Sequence, residues 1–367
     1  MATQCTETFD KFATALGDFG CRGAEPVVHI RNPLGLSNWT LPVIELLMVA
    51  VAVAALVHAV RRLRRDGDPV NLALWCATVI YLFVIEIPLY FPNVFGIEDM
   101  LGVVFAHNVF TVEFLFDRLP LYIVALYPAV VTLAYEVVRS LGVFRDRGPL
   151  IGALCVGFVH HCFYEVFDQL GPQLRWWAWN TDNAVNSPML ASVPMTSMFI
   201  FATLGPSVVT VLVLFLVRGR QSGRVWRTVL AGVLTPLGLV VFSVPTTVFG
   251  GDNPNITAQA VLFSIEIAVI AVVGLVTLSR QWWDIRSGNT EAAEPNSFVR
   301  TFGALYLAVL AFLWAAALPD YVGAVDGVTA DGTPAGSLLY ATVSFLGAAT
   351  CVAAVVTARR TAPATRP

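Results

Sequence analysis

The stretch Phe158–Asn183 begins as an apolar helical run in which His160, His161, Glu165 and Asp168 are set. His161, Glu165 and Asp168 are spaced i, i+4, i+7, which places them on one face of a helix. A Trp-rich segment follows, with Trp176 and Trp177 at its head and Asp182 beyond. Two chemistries suit such a face. A carboxyl group in an apolar cavity keeps its proton toward neutral pH and can deliver it to a double bond or leaving group. Alternatively, His107, His161, Glu165 and Asp168 offer the nitrogen and oxygen donors of a divalent ion. The metal alternative lacks an H-x-x-x-H or H-E-x-x-H spacing. No phosphate loop, dinucleotide fingerprint, nucleophile elbow or C-x-x-C pair points to another cofactor.

The elements that carry these residues follow from composition. The 367 residues are 57% hydrophobic and only 13% charged, where a soluble domain is about 25% charged. Apolar runs of spanning length alternate with short polar links, at 40–60, 71–91, 119–139, 149–169, 190–217, 227–249, 257–279, 300–318 and 336–358. A span needs roughly 20 apolar residues. The expected fold is therefore an all-α polytopic bundle of about nine transmembrane helices. The stretch 100–117 is too polar to span and is expected to form an interfacial or re-entrant helix. Residues 1–38 form a polar tail, with Phe9, Phe12, Leu16 and Phe19 at the spacing of a short amphipathic helix. Residues 39–358 form the membrane domain and 359–367 a second tail. Pro188, Pro194 and Pro206 predict kinks in the fifth span, and Pro236 and Pro245 in the sixth.

Seventeen of the 22 Lys and Arg residues fall in the links after spans 1, 3, 5 and 7 and in the C-terminal tail. The positive-inside rule then predicts a cell-membrane protein with its N-terminus outside and its C-terminus in the cytoplasm. A net charge of −3 argues against nucleic acid as a partner. The partners expected are the lipid bilayer and a hydrophobic small molecule. Cys76, Cys155, Cys162 and Cys351 read as small core residues. Cys5 and Cys21 flank one polar segment, where pairing and free thiols are equally open.

In this topology most intramembrane ionisable groups fall at one depth, in the outer half. Glu45 and Glu86 lie toward the outer ends of spans 1 and 2. His107, Glu113, Asp117 and Arg118 lie between spans 2 and 3, and Glu266 lies in span 7. Charge at that depth needs a partner or water, and one shared cavity would serve many of these groups. Glu86 and His107 thus join His161, Glu165 and Asp168 as candidate acid–base groups. Trp176, Trp177, Arg118, Glu45 and Glu266 are candidate substrate contacts. Blander roles stand beside these: snorkelling for Glu45 and Glu86, a local ion pair for Glu113, Asp117 and Arg118, and packing for His160.

The runs FDRLPLYIVALYP (Phe116–Pro128) and LRWWAWNTDN…VPMTSM (Leu174–Met198) resemble a family of uncharacterised multi-pass membrane proteins. That family carries an Arg-Leu-Pro-Leu-Tyr motif opening one helix and a Trp-Trp-x-Trp motif followed by a polar loop and Val-Pro. The order Glu165, Gly171, Trp176–Trp177, Val193–Pro194 is also similar to the polytopic carotenoid hydratases of the bisanhydrobacterioruberin type. That similarity implies acid-catalysed addition of water to a polyisoprenoid, or its cyclisation, with Glu165 or Asp168 as proton donor. Three functions are expected to compete: a membrane-embedded enzyme on a lipid or isoprenoid, a proton-coupled transporter relaying through Glu86, Glu165 and Glu266, and a non-catalytic scaffold.

Overall fold

The structure, a computed structural model, describes residues 6–17, 24–32, 34, 39–108, 111–250, 253–291 and 293–358. Cys5, Cys21, Phe19 and the 359–367 tail lie outside the described residues. The chain folds as a membrane-embedded all-α bundle, with nine helices among the described residues long and apolar enough to cross a bilayer.

In order, α1 (Glu7–Gly17) and β1 (Val28–Ile30) precede α2 (Thr40–Asp66) and α3 (Val70–Tyr90). Next come α4 (Ile97–Leu101), β2 (Phe105–His107), β3 (Val112–Phe114) and β4 (Leu119–Pro120). The chain continues through α5 (Leu121–Ser140), α6 (Val143–Asp146), α7 (Gly148–Leu170), β5 (Trp177–Trp179), β6 (Met189–Leu190) and β7 (Val193–Pro194). The fifth span is composite: α8 (Met195–Phe199), a π-helical turn Ile200–Leu204 and α9 (Gly205–Leu216). After it come α10 (Arg224–Thr247), α11 (Ile256–Arg286), a second π turn Val299–Gly303, α12 (Ala304–Val322) and α13 (Leu338–Thr357).

The centre of the bundle is α5, 89% buried, with α7 beside it; α11 at 22% is peripheral. Lipid tails are as apolar as leucine, so close approach rather than hydrophobic burial selects the central helices. Gly157 shows how close that approach is. A Cβ there would stand 2.5 Å from the Thr203 carbonyl and 2.1 Å from Ser207 Oγ. The π turn opposite has a sequence cause. Pro206 has no N–H to give the Ala202 carbonyl, and His160 Nδ1 donates to that carbonyl instead, at 2.7 Å.

Two sequence expectations are corrected. The stretch 100–117 is not a helix beyond the end of α4; its described part carries β2 and β3. β3 pairs with β1 and β4, and β2 pairs with β5. A segment this short and polar has strand partners available at the same end of the bundle, and pairing satisfies its backbone groups. The fifth span begins at Met195 rather than 190, because residues 189–194 form the β6–β7 hairpin. Pro188 and Pro194 thus precede the helix, and only Pro206 lies inside the span. The seven strands among the described residues lie at one face of the bundle. The arginine-rich links form the other.

The predicted amphipathic helix is α1. It buries Phe9, Ala13 and Leu16 against Val104 and Ala106.

Candidate functional site

His161, Glu165 and Asp168 lie on one face of α7 against the fifth span, near the strand-bearing face, and Glu86 approaches them from α3 on the far side of Tyr127 and Tyr164. His161 is fixed on both sides: Nδ1 lies 2.8 Å from Thr203 Oγ1 and Nε2 lies 2.6 Å from the Tyr340 hydroxyl. Thr203 Oγ1 donates to the Met198 carbonyl, so it accepts from His161. Nδ1 therefore carries the hydrogen, and Nε2 accepts from Tyr340. One turn on, Glu165 is fully buried. Its Oε1 is 3.9 Å from His161 Nδ1 and has no hydrogen-bond partner. Its Oε2 receives only a long bond from Gln169 Nε2, 3.4 Å. Asp168, also buried, accepts from Ser197 Oγ at 3.2 Å.

Glu86 reaches this group from α3. Tyr127 donates to its carboxylate at 2.5 Å, and the Tyr164 hydroxyl lies within electrostatic range of Glu86, Asp168 and Glu165 together. Glu165 and Asp168 lie within electrostatic range of one another, and Tyr164 links their neighbourhood to Glu86. Among the described residues no Lys or Arg forms an ion pair with any of the three.

The other end of the bundle provides the contrast. Glu136, fully buried in α5, receives Arg139 through Nε (2.7 Å) and a second guanidinium nitrogen (2.9 Å). It also receives His58 Nε2 at 2.9 Å, Asn71 at 2.9 Å and Asn296 at 2.5 Å. Arg139 continues to Glu294, which Arg62 also holds. This acid is saturated and charge-matched, whereas the Glu165 layer is neither.

The remaining candidates lie elsewhere. His107 is enclosed by the rings of Tyr90, Phe105, Tyr122 and Trp177, with Nδ1 3.1 Å from the Tyr90 hydroxyl. Burial depresses its pKa to about 3. Arg118 donates to the Tyr90 carbonyl and is sandwiched between Phe9 and Phe91, 4.1 and 4.9 Å from their centroids. Burial lowers it to about 10, against the opposing pull of Asp10 and Glu98. Glu45 accepts from the Val112 backbone and anchors β3 to α2. Glu266 is half-buried in α11, with Oε2 unbonded. Trp176 is wholly enclosed and its indole N–H is taken by Thr40 Oγ1 at 2.8 Å. Trp177 packs on Phe167, 4.9 Å between centroids. Both tryptophans hold the Trp-rich loop and present no face to a ligand.

The four suggested metal ligands do not converge, since His107 sits in its aromatic cage and both nitrogens of His161 are engaged. The described residues do bring His29, Glu113 and Asp117 together, with ligand atoms within 4.8 Å of one another. Arg31 pairs with Glu113 and lies 3.7 Å from Asp117, supplying cationic charge there. Burial, reinforced by Asp117 and opposed by Arg31, lifts Glu113 to about 8.

Several participants had no chemical signal in the sequence. Tyr340 lies 179 residues from His161, and Tyr127, Tyr164 and Ser197 read as ordinary span residues. Gln169 alone was within reach, being i+4 from Glu165. Comparison of the chain with protein families, curated proteins and solved structures finds no match.

Proposed function

We propose that this protein is a membrane-embedded acid–base enzyme acting on a lipid or isoprenoid, with Glu165 as proton donor and its strand-bearing face turned outward. The observation that supports it is the unbonded Oε1 of Glu165 within a buried carboxyl layer that has no cationic partner. An acid that only held helices together would be matched as Glu136 is by Arg139 and His58. A buried carboxyl without a cation is favoured as the neutral acid, the form that can protonate an alkene.

In the simplest reaction, Glu165 transfers its proton to one carbon of an isoprenoid double bond, leaving a cation on the other. Water then adds, and its surplus proton passes to Asp168 or back to Glu165. With an internal double bond as nucleophile, the same start closes a ring, and the ring cation then loses a neighbouring proton to Asp168 or back to Glu165. Tyr340 and Thr203 hold His161 beside the acid, and Ser197 orients Asp168. The order Glu165, Gly171, Trp176–Trp177, Val193–Pro194, which resembles that of the carotenoid hydratases, is consistent with this chemistry. Relay across the membrane would need a mobile proton site toward the arginine-rich face. Glu136 is locked there by Arg139, which favours chemistry over transport.

The test is untargeted lipid profiling of a deletion strain complemented with wild type or Glu165→Gln. The expected result is one lipid accumulating and another missing in the variant, at normal protein abundance. Full restoration of the profile by Glu165→Gln would end the enzymatic reading.

A further inference from the structure

Along the seam between α12 and α13 runs an apolar groove of about 440 Å³, open to the side. Its walls include Ala304, Ala308 and Ala311 from one helix and Phe345, Ala349 and Ala353 from the other. Both sets follow helical spacing, so two methyl-lined faces oppose one another. The two helices touch sparingly. Trp314 and Phe345 meet across the seam, 6.2 Å between centroids, where the groove ends.

Beyond that aromatic pair the seam continues as a narrow cleft of about 10 Å³. Gln169, Gln173, Trp314, Tyr321, Ser337 and Ala341 line it. That volume holds about one water. Its floor connects directly to the acid layer, because Gln169 donates to Glu165 Oε2 and accepts from the Ser337 backbone N–H at 2.7 Å. From Ala304 to Tyr321 the helical rise is about 26 Å at 1.5 Å per residue, close to the thickness of a bilayer's apolar core.

At its other end the groove opens on the arginine-rich face. Thr357 lines this mouth, and Arg286 donates to the Thr357 carbonyl at 3.5 Å. Arg300 stands exposed one turn before Ala304. Arg139, Arg145 and Arg147 nearby each pair with an acid. Among the described residues, Arg286 and Arg300 form no such pair.

We infer that the α12–α13 seam binds a single-chain anionic lipid, its headgroup at Arg286 and Arg300 and its chain running past Trp314 so that the far end reaches Gln169 and Glu165. The apolar walls match the chain, the two arginines match the headgroup, and Gln169, which lines the far cleft, is bonded to Glu165. The Trp314–Phe345 pair must part for the chain to pass, and so acts as the gate. This deepens the proposed function by assigning its substrate a shape and a polarity.

The test uses a long-chain alkyl phosphate carrying a diazirine at the end remote from the phosphate. It is reconstituted with the full-length protein in vesicles, photolysed, and mapped by mass spectrometry. Label is expected on the peptides of Gln169–Gln173 and Trp314–Tyr321, and excess unlabelled alkyl phosphate should suppress it on the wild-type protein. Ala308→Trp and Ala349→Trp fill the groove and should reduce that label about tenfold, a 1.4 kcal/mol loss of affinity. Leu346→Trp, on the lipid-facing side of α13, should leave it unchanged. Label spread evenly over α10 and α11, or indifferent to the competitor, overturns the inference. Glu165→Gln keeps the groove intact and should label as wild type does. Normal labelling with an unchanged lipid profile in Glu165→Gln would therefore remove the enzymatic reading and leave the seam standing. An altered profile without seam labelling would do the reverse.

Discussion

Glu136 and Glu165 are both buried glutamates in central helices, yet they should respond oppositely to the same change. Glu136→Gln keeps one carbonyl oxygen for Asn71 and Arg139 Nε. Its new amide N–H groups would face His58, the second Arg139 nitrogen and Asn296, all of them donors. Neutral hydrogen bonds inside membrane bundles contribute only about 0.6 kcal/mol each, so the loss is dominated by Arg139, which loses its buried carboxylate and keeps only the exposed Glu294. Removing one partner of a buried pair costs about 3–5 kcal/mol. Glu165→Gln gives up one long bond from Gln169 and a 3.9 Å approach to His161. It also relieves the burial of an unmatched acid. Its effect should stay within about 1 kcal/mol, the net value of one ordinary hydrogen bond. Thermal unfolding followed by tryptophan fluorescence, with both variants in one detergent, measures the difference. Equal destabilisation of the two, or a stable Glu136→Gln, would refute the division between a matched structural acid and an unmatched functional one.

Three further outcomes follow from the strand-bearing face and the helix contacts. Glu113 holds its proton up to about 8 when folded against an ordinary 4.5, so the folded state binds more protons than the unfolded between those values. Its contribution to stability is present below about 4.5 and falls as pH rises through that window; Glu113→Gln should remove the decline in a pH series of melting temperatures. His107 has the opposite sign. Its pKa falls from 6.5 to about 3, so stability is lost as pH drops through that range, and His107→Asn should flatten this acid limb. Gly157→Ala should destabilise by about 1–3 kcal/mol through overpacking, because the Thr203 carbonyl is backbone and cannot swing aside; a melting temperature equal to wild type would show that α7 and the fifth span are less tightly joined.

The spans were legible because a bilayer imposes its length on any helix that crosses it, so composition over about 20 residues suffices. The i, i+4, i+7 face of His161, Glu165 and Asp168 was legible for a similar local reason, since one helix fixes its own geometry. Sequence also carried the cause of the π turn, Pro206, though not its consequence, the capture of the Ala202 carbonyl by His160. What needed the tertiary structure was every pairing across helices. Glu86 and Glu45 look alike in sequence, both acids near the end of an apolar span. Packing sends one to Tyr127 and the acid layer and the other to the Val112 backbone. Trp176 and Trp177 read as candidate substrate contacts, and folding engages them with Thr40 and Phe167. Residues 100–117 read as a helix because periodicity cannot register that strand partners lie at β1 and β5. Whether a buried acid is matched depends on side chains far away in the chain, such as Asn296 on Glu136. Only the packed bundle decides that, and it is the difference that separates Glu165 from Glu136.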